Sequence, residues 1–300
     1  MIPPHEQRGG SFTSSKPTEH GAQMDMRVSV VIPVYAASAY VAQAVESALA
    51  QPETLEVILV EDASPDDSLR VCEALARAHP AVRLFRYASR PRGPGASRNR
   101  GLHEARGDWI VCLDADDYFL PGRFETARQI LAEDPTLDGV YEAMGCHFET
   151  SADEQRWRRH NPTNLTTMRR RVPPEGLFEA MTPMGPHGYC GLAGWVFGRA
   201  MLGRAGLFDA HLWRHQDTAF LIRLAATGRM APGRLEEPVM IRRVHPGNAD
   251  GAARPWLVGY WERALMWATL AAWGWRHLRG RRRMMLTKKL ITTLYRYRHL

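Results

Sequence analysis

Carboxylates gather where two apolar runs of the sequence end. The run LEVILV is followed by Glu61 and Asp62, and the run WIVCL is followed by Asp114, Asp116 and Asp117. Like charges this close repel one another, so they need a cation or hydrogen-bond donors to be stable together. Oxygen ligands with no cysteine nearby favour Mg²⁺ or Mn²⁺. The acids therefore predict a divalent cation site; the alternative is a solvated acidic turn.

A glycine- and arginine-rich segment, RPRGPGASRNRG, precedes the second acidic group. Glycines allow a backbone to approach a ligand closely, and the side chains of Arg98 and Arg100 can bind phosphate. The amide of Asn99 can bond to a ribose or to a carboxylate. Taken alone, the segment is better explained as a flexible basic loop.

The elements that must position these residues alternate between strand and helix from Val28 onward. Apolar, β-branched runs predict buried parallel strands at VSVVIPVY, LEVILVED, AVRLFRY and DWIVCLD. Helices are predicted at residues 39–50, from the Ser64 cap to about residue 79, and at 97–106. Repeated β-α-β units imply a parallel sheet covered by helices, with ligands beyond the carboxyl ends of the strands.

Four segments in order, VSVVIPVY, VILVEDASPDDS, GASRNRG and WIVCLDADD, resemble the family-2 inverting glycosyltransferases. The resemblance covers residues 28 to about 250 and implies an α/β fold of the glycosyltransferase A type. This is a Rossmann-like, mostly parallel central sheet flanked by helices, here with a C-terminal helical appendage. The implied activity is a metal-dependent hexosyltransferase, with Mg²⁺ or Mn²⁺, in polysaccharide or glycoconjugate biosynthesis. It would move a sugar from a nucleoside diphosphate sugar, with a UDP-sugar expected, to an acceptor hydroxyl.

The resemblance also assigns roles to residues on the donor side. Pro33 and Tyr35 match the strand segment along the nucleotide base, and Asp62 matches the acid that bonds the base. Arg98 matches the arginine near the base or phosphates, and Asp114 matches the acid facing ribose or metal.

The metal and the catalytic base are assigned in the same way. Asp116 matches the direct metal ligand, and His245 in VMIRRVHPGNAD would approach the metal or the diphosphate, with Arg242 or Arg243 near the phosphates. Asp217 matches the general base, although an acid in the first turn of a helix is also common for electrostatic reasons alone. Asp209 and Asp153 are weaker candidates.

The sequence departs from the family pattern at three places. Ala36 stands where asparagine is frequent, and Ala63 stands where the family usually has glycine. Gln216 replaces a glutamate that often helps to hold the acceptor. None of these changes removes a proposed catalytic group, but a non-catalytic nucleotide-sugar-binding or scaffold protein stays open as the alternative. A nucleotidyltransferase would carry a glycine-rich basic loop after the first strand, and a dinucleotide-binding oxidoreductase would carry G-x-G-x-x-G there. The sequence after VSVVIPVY has neither pattern, which argues against both classes of enzyme.

The cysteine spacing and the distribution of charge argue against several other classes of protein. The four cysteines lack C-x-x-C spacing, which argues against a zinc site or a disulfide framework and fits a reducing cytoplasm. Residues 255–300 carry ten Lys/Arg and one acid, so the rest of the chain sums to −2 although the whole is +7. A basic nucleic-acid-binding face on the main body is therefore not expected.

The sequence predicts three regions. Residues 1–25 are polar and expected to be a disordered tail, without the apolar core of a signal peptide. Residues 26–254 would form the catalytic domain, with 26–120 as the nucleotide-sugar half and 121–254 as the acceptor half. Within it, residues 150–175 are expected to be a loop. Residues 255–300 would be a basic, Trp-rich helical extension.

The helical extension admits two interpretations. One apolar stripe is formed by Leu257, Trp261, Leu265, Ala268, Ala272 and Trp275, but Met266, Trp267, Leu270 and Trp273 make the other side apolar too. The helices either pack on the catalytic domain or on a dimer partner, or they anchor the protein on anionic lipid. The second interpretation would place a cytoplasmic protein peripherally on the inner face of the membrane. No run long enough for a transmembrane helix is found in the sequence.

Overall fold

The computed structural model describes residues 24–159, 161, 163–248 and 256–298. Residues 1–23, most of the predicted disordered tail, lie outside this part. The strands are β1 (Val28–Val34), β2 (Thr54–Glu61), β3 (Val82–Arg86), β4 (Trp109–Cys112), β5 (Tyr118–Phe119), β6 (Gly139–Tyr141), β7 (Met144–Phe148), β8 (Leu165–Thr166), β9 (Trp195–Gly198), β10 (Met230–Pro232) and β11 (Met240–Val244). The helices are α1 (Val41–Leu49), α2 (Ser68–Ala78), α3 (Pro94–Glu104), α4 (Glu125–Glu133), α5 (Ser151–Arg158), α6 (Leu177–Ala180), α7 (Leu202–Ala205), α8 (Gln216–Thr227), α9 (Trp256–His277) and α10 (Gly280–Arg298).

The central sheet has seven strands in the order β10-β6-β9-β4-β1-β2-β3. Every neighbouring pair is parallel except those of β9, which runs antiparallel to both β4 and β6. β1 and β2 are almost wholly buried, as strands covered on both faces must be. The predicted mostly parallel α/β fold is therefore confirmed. Strands from both sides of residue 120 share this one sheet.

The helices of the first part of the chain lie where they are predicted, but α3 begins three residues early, at Pro94, and α2 begins late. This helix begins at Ser68, because Ser64 is used elsewhere. The hydroxyl oxygen of Ser64 accepts a hydrogen bond from the backbone N–H of Ala36 at 3.2 Å, and the Ser64 N–H donates to Glu61 Oε1 at 2.6 Å. The segment predicted as the first turn thus ties the ends of two strands together.

Residues 150–175 are not all loop, because α5 lies within them. Thr150 caps this helix by accepting from the N–H of Asp153 at 3.2 Å, and its hydroxyl donates back to Asp153 Oδ2 at 2.7 Å. Asp153 is buried and forms an ion pair with Arg156 at 2.8 Å. These bonds account for Asp153 as a capping residue, so it is not a candidate base.

A second, four-stranded sheet has the order β5-β11-β7-β8. β11 pairs antiparallel with β5 and parallel with β7. Since β5 begins one residue after Asp117, this pairing brings the end of β11 beside the second acidic group.

The C-terminal helices form a hairpin packed on the main body. Met266, Trp267 and Leu270 of α9 are buried in the same apolar cluster as Phe220 of α8. The other predicted stripe faces outward: Trp261 and Trp275 are each more than half exposed, and the side chain of Leu257 lies outside the described part. Among the residues that the structure describes, no helix combines the length and the hydropathy needed to cross a bilayer.

Candidate active site

The candidate site lies at the carboxyl ends of three neighbouring strands. Tyr35 follows β1, Asp62 follows β2, and Asp114 lies two residues beyond β4. Val34 is in register with Glu61, so the ends of β1 and β2 lie side by side. Tyr35 is more than half exposed at this edge. Parallel strands thus bring together residues that are up to 79 positions apart in the sequence.

Two of these strand ends turn through a left-handed backbone. Ala36 has φ 50° and Ala63 has φ 54°, values that cost a residue with a β-carbon about 1–2 kcal/mol. Hydrogen bonds hold the turns: Ala37 N–H donates to Ser68 Oγ at 2.9 Å, and Ser38 N–H donates to Asp66 Oδ2 at 3.0 Å. The positions at which the sequence departs from the family's asparagine and glycine are therefore the ones whose conformation favours those residues.

Asp62 holds the loop that leads into α3. Its Oδ1 accepts from the N–H of Arg92 at 2.7 Å and its Oδ2 from the N–H of Gly93 at 2.8 Å. Burial raises the pKa of Asp62 although these two bonds act in the opposite direction. Pro33, in the strand beside it, is paired in register with Val60. The carboxylate thus fixes the backbone at the edge of the site.

Arg98 is the central cation of the site. Its buried guanidinium donates through Nη2 to Asp114 Oδ1 at 2.5 Å and lies 5.6 Å from the ring centre of Phe208. Burial alone would lower the pKa of Arg98, but the charge of Asp114, with a smaller contribution from Asp217, outweighs it and raises this pKa. Nε and Nη1 of Arg98 have no hydrogen-bond partner among the described residues.

Two neighbours of Arg98 serve the fold instead of the ligand. The Asn99 amide bonds to the backbone of Phe208 through both its oxygen and its nitrogen, each at 2.8 Å. Arg100 forms an ion pair with Glu104 at 3.1 Å and lies over the ring of Phe85. Asn99 and Arg100, which the sequence offers as possible partners of a ribose and a phosphate, are thus both engaged with other residues of the protein in this arrangement.

Asp217 reaches the site from the first turn of α8. Its Oδ1 accepts from the N–H of Thr218 at 2.7 Å. His215, directly before the helix, has a left-handed backbone with φ 60°. Burial and the charge of Arg263 on α9 lower the pKa of His215. The C-terminal hairpin therefore lies close to the start of α8. Asp209, the weaker candidate, accepts from the N–H of His211 at 3.0 Å in a local turn.

The start of α8 packs against the start of α3 through two glycines. A β-carbon at Gly95 would lie 3.3 Å from Gln216 Oε1, a buried atom with no partner among the described residues. A β-carbon at Gly93 would lie 3.0 Å from the indole of Trp213. Trp213 is more than half exposed and was not predicted from the sequence, where no periodic signal marks it. The N-terminal turn of α3 is thus the point at which the Asp62, Asp114 and Asp217 segments meet.

Asp116 and His245 come together at the end of β11. Asp116 Oδ2 lies 3.1 Å from His245 Nε2 and accepts from Asn248 Nδ2 at 3.0 Å. Burial and the charge of Asp114 raise the pKa of Asp116, against the opposing effect of His245. The ring of Tyr40, which sequence reasoning missed, lies 4.9 Å from the His245 ring, centre to centre.

These residues fit a divalent cation with an incomplete protein shell. The described part of the chain contains no group of three or more His, Cys, Asp or Glu side chains placed to hold a metal. Asp114, the other acid of the motif, is paired with Arg98. One carboxylate and one imidazole suit an ion whose other positions are filled by phosphate oxygens and water.

Asp117 and Arg243 support this pair. Asp117 is buried and accepts from the backbone N–H of Arg243 at 2.9 Å, while burial and the charge of Asp116 raise its pKa well above the ordinary value. Arg243 Nε donates to the carbonyl oxygen of Asp116 at 3.1 Å. Arg242 lies over Trp157 and its charge also acts on Asp117, whereas Arg243 bonds directly to the backbone of Asp116.

Solved structures share this fold. S. aureus TarS in complex with UDP-GlcNAc superposes with a TM-score of 0.65 at 17% identity, over 91% of this chain and 72% of that one. The mannosyltransferase PcManGT from Pyrobaculum calidifontis, in complex with GDP-Man and Mn²⁺, gives 0.55 at 20% identity over 90% and 73%. The chain therefore has the fold of the A-type glycosyltransferases, with acids at the carboxyl ends of its strands.

The family follows from the sequence comparison. The model of Glycosyl transferase family 2 matches residues 29–185, just over half of the chain. The protein belongs to glycosyl transferase family 2, which confirms the resemblance drawn from its motifs.

Two curated relatives match shorter stretches of the chain. The succinoglycan biosynthesis protein ExoU of Rhizobium meliloti is 36% identical over 123 residues, which is 41% of this chain and 32% of ExoU. Chondroitin synthase of Escherichia coli is 37% identical over 115 residues, 38% of this chain and 16% of that protein. The chain thus matches about a third of ExoU and less of chondroitin synthase.

Proposed function

We propose that this protein is an inverting glycosyltransferase that moves a sugar from a nucleoside diphosphate sugar to an acceptor hydroxyl, in polysaccharide or glycoconjugate biosynthesis. The observation that carries the proposal is the meeting of Asp62, Asp114 and Asp217 segments at the first turn of α3, around the buried Arg98. The site combines the guanidinium of Arg98 with Asp116 and His245, a pair of side chains that could bind a metal. Positive charge of this kind suits the transfer of a group away from a diphosphate, because it stabilises the negative charge of the leaving group.

On the donor side, each residue has a distinct task. The exposed ring of Tyr35 offers a face to the nucleotide base, and Asp62 keeps further lone pairs for the base beyond the two bonds it accepts. Arg98 has two nitrogens without a partner among the described residues, Nε and Nη1, to donate to a phosphate, and the half-exposed Asp114 faces the ribose. TarS has been solved with UDP-GlcNAc and PcManGT with GDP-Man, so we assign a UDP-sugar as the first donor to test.

Asp217 is proposed as the general base. An alcohol is a weak nucleophile until its proton is removed, and a carboxylate positioned within hydrogen-bond reach can accept that proton. The bond from the Thr218 N–H orients the carboxylate at the start of α8. Attack from the Asp217 side, opposite the diphosphate, inverts the anomeric centre; the transition state has oxocarbenium character.

Asp116 and His245 are the residues that would hold a Mg²⁺ or Mn²⁺ ion. When bound, such an ion stabilises negative charge on the leaving diphosphate. Asn248 and Tyr40 orient the two side chains through their contacts with them. Tyr40 in turn lies 5.0 Å below the guanidinium of Arg243, which completes a packed support for the pair.

A ligand and turnover panel tests the function. Melting temperature is measured with UDP-sugars and GDP-mannose, with and without Mn²⁺, because a ligand that binds the folded state raises it by mass action. Release of nucleoside diphosphate is measured with the same donors. Stabilisation by one nucleotide class, together with release, supports the proposal. Binding without release by any donor or acceptor would favour the scaffold alternative, and no stabilisation by any donor would contradict both.

A further inference from the structure

The outward face of the C-terminal hairpin carries an apolar stripe with no covering element in the described part of the chain. On α9 the exposed side chains Val258, Trp261, Leu265 and Trp275 recur at helical spacing, and Trp261, Leu265 and Trp275 are each about half exposed. The opposite side of the same helix is buried in the core. Leaving large aligned apolar side chains in water is unfavourable in free energy, so we expect this face to be covered by a ligand or a partner.

The stripe continues onto α10. Met284, Ile291, Leu294 and Tyr295 are exposed there, each close to or above half of its surface. Trp275 joins the two helices, because its Nε1 donates to Thr287 Oγ1 at 3.2 Å and its ring lies 4.1 Å from the guanidinium of Arg283. The two apolar stripes therefore meet at Trp275.

The basic side chains of the hairpin form two groups, one that points into the protein and one that is exposed to solvent. Arg282 and Lys289 point inward, where Arg282 Nε donates to Glu179 at 3.0 Å and Lys289 reaches the Pro183 carbonyl. Exposed basic residues on the remaining surface are Arg263, Arg276, Arg279, Arg281, Lys288 and Arg296. Glu262 is the single acid among residues 255–300.

We propose that this face docks on the surface of a bilayer that contains anionic lipids. Tryptophan and leucine side chains insert at the boundary between headgroups and acyl chains, and arginine and lysine bind the lipid phosphates. The excess of basic over acidic residues lies in residues 255–300, while the rest of the chain sums to −2, so the positive field is strongest on the side of the hairpin. A second copy of the same face would bring like charges together, which disfavours a symmetric dimer through it.

Vesicle flotation of the full chain tests the proposal. Wild type is expected to float with vesicles of phosphatidylcholine and phosphatidylglycerol at a ratio of about 7:3 and to stay largely unbound with pure phosphatidylcholine. The apolar variant Trp261→Ser/Leu265→Ser should lower the bound fraction at least about fivefold, because inserted area is lost. Its matched control is Tyr189→Ser, an exposed aromatic that does not belong to the hairpin.

The contribution of charge is tested with the hairpin variant Arg276→Glu/Arg281→Glu. Its control is Arg77→Glu/Arg106→Glu outside the hairpin, and all four arginines are exposed. Only the hairpin pair should lower binding to the anionic vesicles, by at least about tenfold. Unchanged melting temperatures show that the variants are folded. Flotation of Trp261→Ser/Leu265→Ser equal to wild type, or no flotation of wild type, would overturn the proposal. A wild-type dimer that this variant dissociates would assign the face to a second copy instead.

Discussion

The guanidinium of Arg98, in the second turn of α3, donates to the carboxylate of Asp114, two residues beyond β4, across 2.5 Å. The same guanidinium is close enough to Asp217 for that carboxylate to stabilise its charge. One buried cation thus connects the proposed donor side and the proposed acceptor side of the site. A phosphate that competes for Arg98 would weaken its hydrogen bond to Asp114 and its electrostatic attraction to Asp217, so donor binding and base positioning are expected to be linked.

Arg98→Lys should lower kcat/KM for the donor by about 10²-fold, the scale of losing one preorganised electrostatic contact. A single ammonium cannot contact Asp114 and a phosphate with the fixed fork of a guanidinium. Steady-state kinetics over a donor series checks this. The matched control is Arg100→Lys, whose guanidinium pairs with Glu104 and should leave kcat/KM near wild type. Equal losses in the two variants would contradict the role of Arg98.

Asp217→Asn should lower turnover by at least about 10²-fold, because the amide cannot accept the acceptor proton. The substitution keeps an oxygen for the Thr218 N–H, so melting temperature should hardly change. Initial rates of transfer are the measurement. Asp209→Asn, which also preserves its local turn, is the control and should transfer normally. If Asp209→Asn were the inactive variant, the assignment of the base would move to Asp209.

Removal of divalent metal with EDTA should abolish transfer, and Mn²⁺ or Mg²⁺ should restore it. His245→Ala should raise the Mn²⁺ concentration needed for half-maximal rate by at least about tenfold, since losing even an outer-shell contact costs that much. Metal titrations of the rate provide the test, with the exposed His103→Ala as control. Full transfer in metal-free buffer would rule out a metal role for Asp116.

Glu56 should make the fold acid-sensitive. Its carboxylate is buried and accepts from Ser29 Oγ, Arg106 N–H and Arg83 Nη1, each at 2.7 Å. Burial acts to raise the pKa of Glu56, but these bonds outweigh it and lower the pKa below 4.5. Stability from this group is therefore complete above 4.5 and is lost as pH falls through the lower folded-state value.

Glu56→Gln should cost about 3 kcal/mol of unfolding free energy near neutral pH, the scale of breaking a buried ion pair. The difference from wild type should shrink on acidification, because wild type loses the same charge. Urea unfolding at a series of pH values measures it. Glu73→Gln on the surface of α2 is the control. A difference that stays constant down to the lowest pH would show that the charge of Glu56 does not contribute.

Ala63→Gly should stabilise the protein by about 1 kcal/mol, because glycine adopts the left-handed backbone without the steric cost of a β-carbon. The φ of 54° at this position supplies the reason. Thermal unfolding is the measurement, with Ala76→Gly in α2 as a control that should destabilise by about 1 kcal/mol. A lower melting temperature for Ala63→Gly would show that the turn is not strained.

Much of the molecule is encoded locally. The apolar runs of β1 and β2 predict buried parallel strands, and the topology of such strands places Tyr35, Asp62 and Asp114 at one edge. The acidic group after β4 points to a cation for the same local reason, since its charges are adjacent in the chain. The order of four motifs was enough to indicate the family.

Other features depend on contacts between distant residues, which no local pattern encodes. The sequence predicts Ser64 as a helix cap, but its hydroxyl bonds Ala36; Asn99, a possible ligand-binding residue from its sequence context, bonds the backbone of Phe208. Trp213 reaches the site only because Gly93 leaves room for its indole. The sequence of α9 is apolar on two sides, and packing against α8 decided which side is buried. The periodicity of its sequence determines that a helix has an apolar face, whereas the shape and charge of the neighbouring elements determine which face is exposed to solvent.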